Sequence, residues 1–403
     1  MPAANTKKAT PHLSTTTLWV MTITTGLVVA NLYYNQPLLV EISRTFNVTS
    51  AKAGQVSVLT QVGYALGMFF FIPLADMFKR KKLMLINFAF VVLSLILAGM
   101  APSINILLVA SFLIGASSMI PQLLIPMTAH LANPSERGKK IGFVMSGLLI
   151  GILLSRTFSG IVAAHFGWRS MFYIAAGLMV IMWALVYLLL PEVEPDYKGS
   201  YKNLMLSMVH LIRDEPKLRL ATLRGALCFA CFSAFWSTLT FLLKQNFNLG
   251  SDVAGLFGLV GAFGALSASA MGRLSDKMDP YHLSTFTLAL VIISFIVFAF
   301  SGHSMAGLII GVILMDMGVQ ATHISNQAII FAINPGARNR INTIYMVTYF
   351  IGGALGTLIA TQLWYGYQWN GVCILGITIS TLAMGIHLFN RKKIQNKATV
   401  VQS

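Results

Sequence analysis

Apolar runs about twenty residues long, separated by short polar connections, recur along the whole chain. A run of roughly 20 apolar residues is enough to cross the hydrocarbon core of a bilayer as a helix. Twelve are expected, near residues 16–41, 53–77, 83–101, 104–130, 139–165, 168–191, 218–244, 252–273, 282–301, 305–333, 340–366 and 369–389. The longest polar connection, from Pro191 to Lys217, contains Leu204, Met205, Met208, Leu211 and Ile212 at helical spacing within Tyr201 to Asp214. That spacing predicts a short amphipathic helix lying on the inner membrane surface.

The pattern repeats. Moving 201 residues along from ANPSERGKKIGFVMSGLLIGILLSRTFSGIVAAHFGWRS gives a matching stretch in which Pro134 maps to Pro335, Arg137 to Arg338, Gly151 to Gly352 and Trp168 to Trp369. A second echo, 200 residues apart, pairs Leu74-Ala-Asp76 with Leu274-Ser-Asp276. Two matching helical halves are how many membrane carriers are built. The expected divisions are 1–191, a linker over 192–217, and 218–403.

Composition agrees with a membrane location: 56% of residues are hydrophobic and 10% charged, against roughly 25% charged in soluble domains. The net charge of +16 would suit a nucleic-acid binder if the basic residues were evenly spread, but they are not. Lys79 to Lys82, Arg137, Lys139, Lys140, Lys217, Arg219, Arg273, Lys277, Arg338, Arg340 and Arg391 to Lys393 fall on one side of alternating helices, and only Arg44, Lys52, Arg169 and Lys244 on the other. This asymmetry places both termini in the cytoplasm and accounts for the charge without nucleic acid. Residues 1–15 are polar, so no removable signal is expected and the first span would direct insertion. Cys228 and Cys231 form a CxxC with no second pair or histidines nearby. Packing is the expected role, and no metal is expected.

Polar side chains within the spans mark either a wet cavity or helix contacts. On the first span these are Asn31, Tyr34 and Asn35; on the second Ser57, Gln61 and Tyr64; on the fourth Ser111, Ser118 and Gln122, near Pro121 and Pro126 that can kink the helix. Phe232 and Trp236 on the seventh span, with Tyr345 and Tyr349 on the eleventh, suit a partly apolar organic substrate. Gly147, Gly151 and Ser155 on the fifth span, and Gly352 and Gly356 on the eleventh, predict close backbone approach, expected along the seam between the halves. Asp76 beside Arg80, echoed by Asp276, reads either as a topology signal or as an ion-paired cytoplasmic latch.

Eleven of the twelve acidic residues fall in loops or at helix ends; Asp316 lies near the middle of the tenth span. A carboxylate at that depth costs at least about 2.5 kcal/mol and usually marks an ion or proton path. Gln320, His323 and Gln327 follow at helical spacing, extending a polar face toward the cytoplasm. Arg156, at similar depth in the fifth span, is the candidate partner. Asp316 either carries a proton or contacts substrate, or forms a purely structural pair with Arg156. His323 is a proton relay or a satisfied hydrogen-bonding residue, and Arg224, one turn inside the seventh span, is expected to snorkel to the surface.

The motifs NLYYNQPLL, PLADMFKRKK, GILLSRTFSG with GWR, and LMDMGVQATHISNQ with ARNRINTIYM resemble the major facilitator superfamily, in particular a bacterial branch of sugar-efflux (arabinose-efflux-like) permeases. The resemblance implies an all-α membrane protein with twelve transmembrane helices in two pseudo-symmetric six-helix bundles, and a cavity lined by the first, fourth, seventh and tenth helices. It also implies alternating access and export in place of import. The reading is a bacterial cytoplasmic-membrane carrier, a monomer exporting a small organic molecule such as a drug, sugar or metabolite in exchange for protons. A proton-coupled importer is the alternative. No GxxxxGK[ST] loop is present, so the proton gradient is expected to supply energy, with no cofactor. A receptor or scaffold would need a larger soluble part, and no set of residues suggests an enzyme.

Overall fold

The computed structural model describes residues 13–133, 135–193, 195, 199–275, 279–334 and 337–402, with the side chains of all of these except 76, 265–275, 280 and 391–402. Helices account for its regular structure: α1 (Thr15–Ala30), α2 (Leu39–Phe46), α3 (Ser50–Phe71), α4 (Arg80–Met100), α5 (Ile104–Ser117), α6 (Ile120–Leu131), α7 (Arg137–Phe166), α8 (Trp168–Leu189), α9 (Tyr201–Asp214), α10 (Pro216–Phe247), α11 (Ser251–Ser275), α12 (Pro280–Phe300), α13 (Met305–Phe331) and α14 (Arg338–Gln402). Among the described residues nine helices are long and apolar enough to cross a membrane, and Thr15–Ala30 and Ser251–Gly264 are shorter apolar helices.

The helices break where local chemistry requires it. The first expected span is not one helix. It stops at Ala30, passes through a turn over 31–35, and resumes as a 3-10 turn, Gln36–Leu38, and α2. Pro37 has no N–H to continue the ladder, and its ring crowds the carbonyl four residues back. The fourth expected span divides between α5 and α6 at Ser118 and Met119, so that Pro121 falls in the first turn of α6, where no N–H partner is needed.

The sequence repeat reappears in the backbone. Asn47 and Asn248, 201 residues apart, both close their helices in the left-handed conformation, with φ of 51° and 54°. Gly167, which separates α7 from α8 with φ 79°, is matched at the same offset by Gln368, which interrupts α14 with φ 53° and ψ −146°.

Hydrogen bonds identify the two ends of the helix array. Lys81 Nζ donates to the Leu190 carbonyl at 2.7 Å, Tyr201 Oη to the Phe70 carbonyl at 3.0 Å, and Arg340 Nη1 to Ser207 Oγ at 2.8 Å. These bonds gather the starts of α4 and α14, the ends of α3 and α8, and α9 into one end, the basic face. At the opposite end Trp168 Nε1 donates to Thr45 Oγ1, and Trp369 Nε1 to the Phe298 carbonyl.

The small-residue stripes pack within each repeat and not between the two, contrary to the expectation from sequence. A Cβ on Gly26 would lie 2.6 Å from the Gly147 carbonyl oxygen, and one on Gly151 would collide with the backbone of Gly26, so Gly147 and Gly151 join α7 to α1. Gly352 and Gly356 press in the same way on Ala226 and Ala230, joining α14 to α10. Ser155 is buried and returns its hydroxyl to the Ile152 carbonyl on its own helix.

The repeats meet through other positions. A Cβ on Gly255 of α11 would lie 2.6 Å from the Arg156 carbonyl oxygen, Thr157 Oγ1 donates to the Gly255 carbonyl at 2.9 Å, and Gly54 of α3 packs on Thr361 of α14. These approaches lie in the half of the array away from the basic face. Toward the basic face a small cleft lies among α3, α6 and α14, with Met68, Arg80, Gln122, Pro126, Asn339 and Asn342 on its walls.

Candidate functional site

Asp316 points into the protein and is 2% exposed. Two glycines of α11 make room for it. A Cβ on Gly264 would lie 2.8 Å from Asp316 Cβ, and one on Gly261 would lie 2.7 Å from Asp316 Oδ2 and 3.0 Å from Trp236 Cζ2. The acid therefore occupies a slot between α13, α11 and the Trp236 indole of α10.

Arg156, 1% exposed, approaches the same indole. Its Nε donates to Gln36 Oε1 at 2.7 Å, and its guanidinium carbon lies 4.1 Å from the Trp236 ring centre, 4.9 Å from that of Tyr33 and 5.3 Å from that of Phe232. Ring faces attract a cation, and guanidinium suits them because it is planar and weakly hydrated.

Arg156 and Asp316 do not form the expected ion pair. Among the described residues no salt bridge joins them, and Arg156 Nη2, Asp316 Oδ2 and Trp236 Nε1 are all buried without a hydrogen-bond partner. Trp236 touches both sides of this arrangement. Unsatisfied buried polar atoms are rare and costly, at about 1–3 kcal/mol each, so the set around Trp236 marks a poorly satisfied place among the described residues.

The polar face continues along α13 from Asp316. Gln320, His323 and Gln327 are half-buried along α13 toward the basic face. His323 Nδ1 lies 3.0 Å from Tyr345 Oη, and its ring centre lies 5.0 Å from that of Tyr349. Tyr349 stacks on Phe229 at 4.0 Å, and Phe229 on Phe232 at 5.4 Å. An aromatic wall thus runs from His323 to Arg156. Across from it, Gln122 Nε2 donates to Tyr64 Oη at 3.3 Å and Asn342 Nδ2 to Gln122 Oε1 at 3.5 Å, while Gln61 Nε2 donates to Thr357 Oγ1 at 3.3 Å. The Asn342–Gln122 and Gln61–Thr357 bonds connect the two repeats.

Four expected cavity residues lie elsewhere. Asn31 faces α8, donating to Met179 Sδ at 3.4 Å. Asn35 joins the α1 turn to α3, accepting from Ser57 Oγ and donating to Thr60 Oγ1 at 3.3 Å. Both are helix contacts, because the break at Ala30 turns these residues off the face they would share on a continuous helix. Tyr34 lines an apolar groove between α1 and α7 with Trp19 and Ile23, and Ser118 returns its hydroxyl to the Ile114 carbonyl. For the expected latch, Arg80 is buried at the cleft, while the Asp76 side chain and Asp276 lie outside the described residues.

Tyr33 and Gln36, which hold Arg156, were not singled out in the sequence, although both belong to its polar NLYYNQP patch. Gly261 and Gly264 were also missed; small residues three apart on a neighbouring span are the available signal for a slot beside a buried acid. Arg224 does not snorkel. It is fully buried and donates through Nη2 to Asn326 Oδ1 at 2.6 Å and through Nη1 to His387 Nδ1 at 2.9 Å. Because His387 Nδ1 must accept there, its Nε2 carries the hydrogen and donates to the Tyr281 carbonyl at 3.1 Å. Cys228 and Cys231 are buried and free.

Comparison with known proteins gives this geometry a context. The family model described as Major Facilitator Superfamily matches residues 21–357. The chain is 40% identical over 374 residues to the "Uncharacterized transporter YgaY" of Escherichia coli O157:H7, covering 93% of this chain and 95% of that protein. It is 29% identical over 356 residues to the "Probable transporter SCO4007" of Streptomyces coelicolor, covering 88% and 83%. In fold it is similar to the crystal structure of a bacterial homolog to the human lysosomal transporter Spinster in an inward-facing and occupied conformation, with a TM-score of 0.75 at 15% identity over 93% of this chain and 96% of that one. With apolar helices long enough to span a membrane and a family match over most of its length, the chain belongs to the Major Facilitator Superfamily and is a multi-pass membrane transporter, not an enzyme.

Proposed function

We propose that this transporter exports a small organic molecule across the bacterial cytoplasmic membrane in exchange for protons, by alternating access, and that Asp316 is the group that takes up and releases the proton. The carrying observation is the Asp316 carboxylate, buried at mid-span with Oδ2 unpartnered beside the equally unpartnered Trp236 Nε1 and Arg156 Nη2. An acid so placed is expensive unless it works. The half-buried Gln320, His323 and Gln327 give it a polar approach from the basic face, which this reading assigns to the cytoplasm with both termini.

In this reading the central site lies between Arg156 and His323, and the aromatic wall of Phe232, Trp236, Tyr345 and Tyr349 contacts the apolar part of the substrate, with Gln61, Gln122, Gln320 and Gln327 supplying hydrogen bonds. Arg156 and Asp316 stand apart in the present state and pair in the opposite one, so protonation of the acid biases the movement. Asp76, Arg80 and Asp276 form the cytoplasmic latch. If the two shorter apolar helices also span and α14 counts as two at Gln368, the helices number twelve, arranged as six-helix bundles over 1–191 and 218–403 joined by 192–217. The carrier works as a monomer and draws only on the proton gradient.

The test compares deletion and overexpressing cells for sensitivity to a panel of drugs, sugars and metabolites, then follows any hit in vesicles under an imposed pH gradient. Replacement Asp316→Asn should abolish proton-driven transport in a folded protein; full activity removes the assignment. Substrate accumulation in overexpressing cells, in place of its loss, would favour a proton-coupled importer.

A further inference from the structure

Helix α9 has more apolar surface than the protein covers. At about 3.6 residues per turn, Leu204, Met208 and Leu211 share one arc, which packs on the body: Leu204 is 4% exposed and Met208 1%. The neighbouring arc carries Met205, Leu206, Val209 and Ile212; among these Leu206 is 48%, Val209 55% and Ile212 43% exposed. Lys202 and Arg213 fall within this second arc, between Val209 and Leu206, and both are exposed. The remaining arc is polar, with Asn203, His210 and Asp214.

Three arcs imply three surroundings: protein, a second apolar phase, and water. The sequence suggested one apolar side lying on the membrane, but the structure divides it, giving the central strip to the protein and leaving the flank open. The helix sits at the ends of the spans, bonded to Phe70 of α3 through Tyr201 and to Arg340 of α14 through Ser207, so the open flank lies at the level where hydrocarbon gives way to headgroups. Basic residues inside an apolar arc reach outward while their stems stay in the apolar layer, and they favour anionic headgroups. The only acidic residue of the helix, Asp214, is on the water arc.

We propose that α9 is an interfacial lipid-binding helix whose Leu206, Val209 and Ile212 enter the membrane surface while Lys202 and Arg213 bind anionic phospholipid headgroups. The choice of the cytoplasmic leaflet rests on the orientation proposed above; the lipid contact does not. Because Tyr201 and Ser207 attach the helix to α3 and α14, headgroup charge acts on the two helix ends that flank the cleft.

The test labels the full-length protein at Val209→Cys or at His210→Cys with a fluorophore sensitive to polarity; the native cysteines are buried. Each is reconstituted in vesicles of phosphatidylcholine alone or with phosphatidylglycerol. Nitroxide-labelled lipid should quench the label at 209 several-fold more than that at 210, and phosphatidylglycerol should increase the difference. The pair K202Q and R213Q should remove the phosphatidylglycerol response and leave the contact in phosphatidylcholine. Equal quenching at the two positions overturns the proposal, as does a label at 209 that is shielded from water yet unquenched by nitroxide lipid, which would mean a protein partner or a second copy. An unchanged phosphatidylglycerol response in the double variant also overturns it. Labelling of His210→Cys by a membrane-impermeant maleimide in intact cells would refute the proposed orientation while leaving the lipid contact standing.

Discussion

At Gln368 the backbone takes a conformation that the first repeat gives to glycine. With φ 53° and ψ −146°, this residue lies at the edge of the region that is essentially reserved for Gly, and a side chain held there costs about 1–3 kcal/mol. Its counterpart Gly167 has φ 79° and ψ 155° and no steric neighbour within 4 Å. Replacing Gln368 by Gly should release most of that strain. Against this stands the larger entropy a glycine loses on folding, about 0.5–1 kcal/mol. The expected net effect is a stabilisation of about 1 kcal/mol, a roughly five-fold change in the folded-to-unfolded ratio. The protein supplies its own assay: Cys228, Cys231 and Cys373 are free and buried, so a thiol-reactive dye reports unfolding directly. Q368G should raise the unfolding midpoint, and G167Q, which imposes a side chain on the equivalent position, should lower it. A midpoint that stays the same or falls in Q368G would refute the strain argument and mean that the Gln368 side chain contributes more than its backbone costs.

Other outcomes follow from the packing. Replacement G261A should cost function before stability, because the new Cβ would meet the movable Asp316 carboxylate at 2.7 Å; transport of an identified substrate should fall while the dye-monitored midpoint changes little. By contrast, G352A should lower the midpoint, with a stability loss of about 1–3 kcal/mol, since its Cβ would strike the Ala226 backbone and separate α10 from α14; G151A should do the same at α1. Replacement R224M removes the donor to Asn326 Oδ1, at about 1–3 kcal/mol, and adding N326L should recover part of the loss in a double-mutant cycle. A charge exchange, R156D with D316R, should restore some transport lost in each single change if the two pair during the cycle; no recovery would argue against contact.

The chain by itself determined the helical class, the membrane location and the duplication, because hydrocarbon forces each spanning segment to satisfy its own backbone and to be apolar over a fixed length. Periodicity also located α9, whose bounds at Tyr201 and Asp214 match the expected ones, and depth in a span was enough to single out Asp316 and Arg156. Periodicity says which residues share a face, but not what the face meets. Only the tertiary structure decided that the glycine stripes hold each repeat together instead of joining the two, that Asn31 and Asn35 bond neighbouring helices, and that Arg224 is buried on Asn326 and His387. It also decided that Trp236, approached by Arg156 on its ring and by Asp316 at the Gly261 slot, stands where an ion pair was expected. Which helices become neighbours is set by contacts between residues far apart in the chain, whereas the break in the first span beside Pro37 is local.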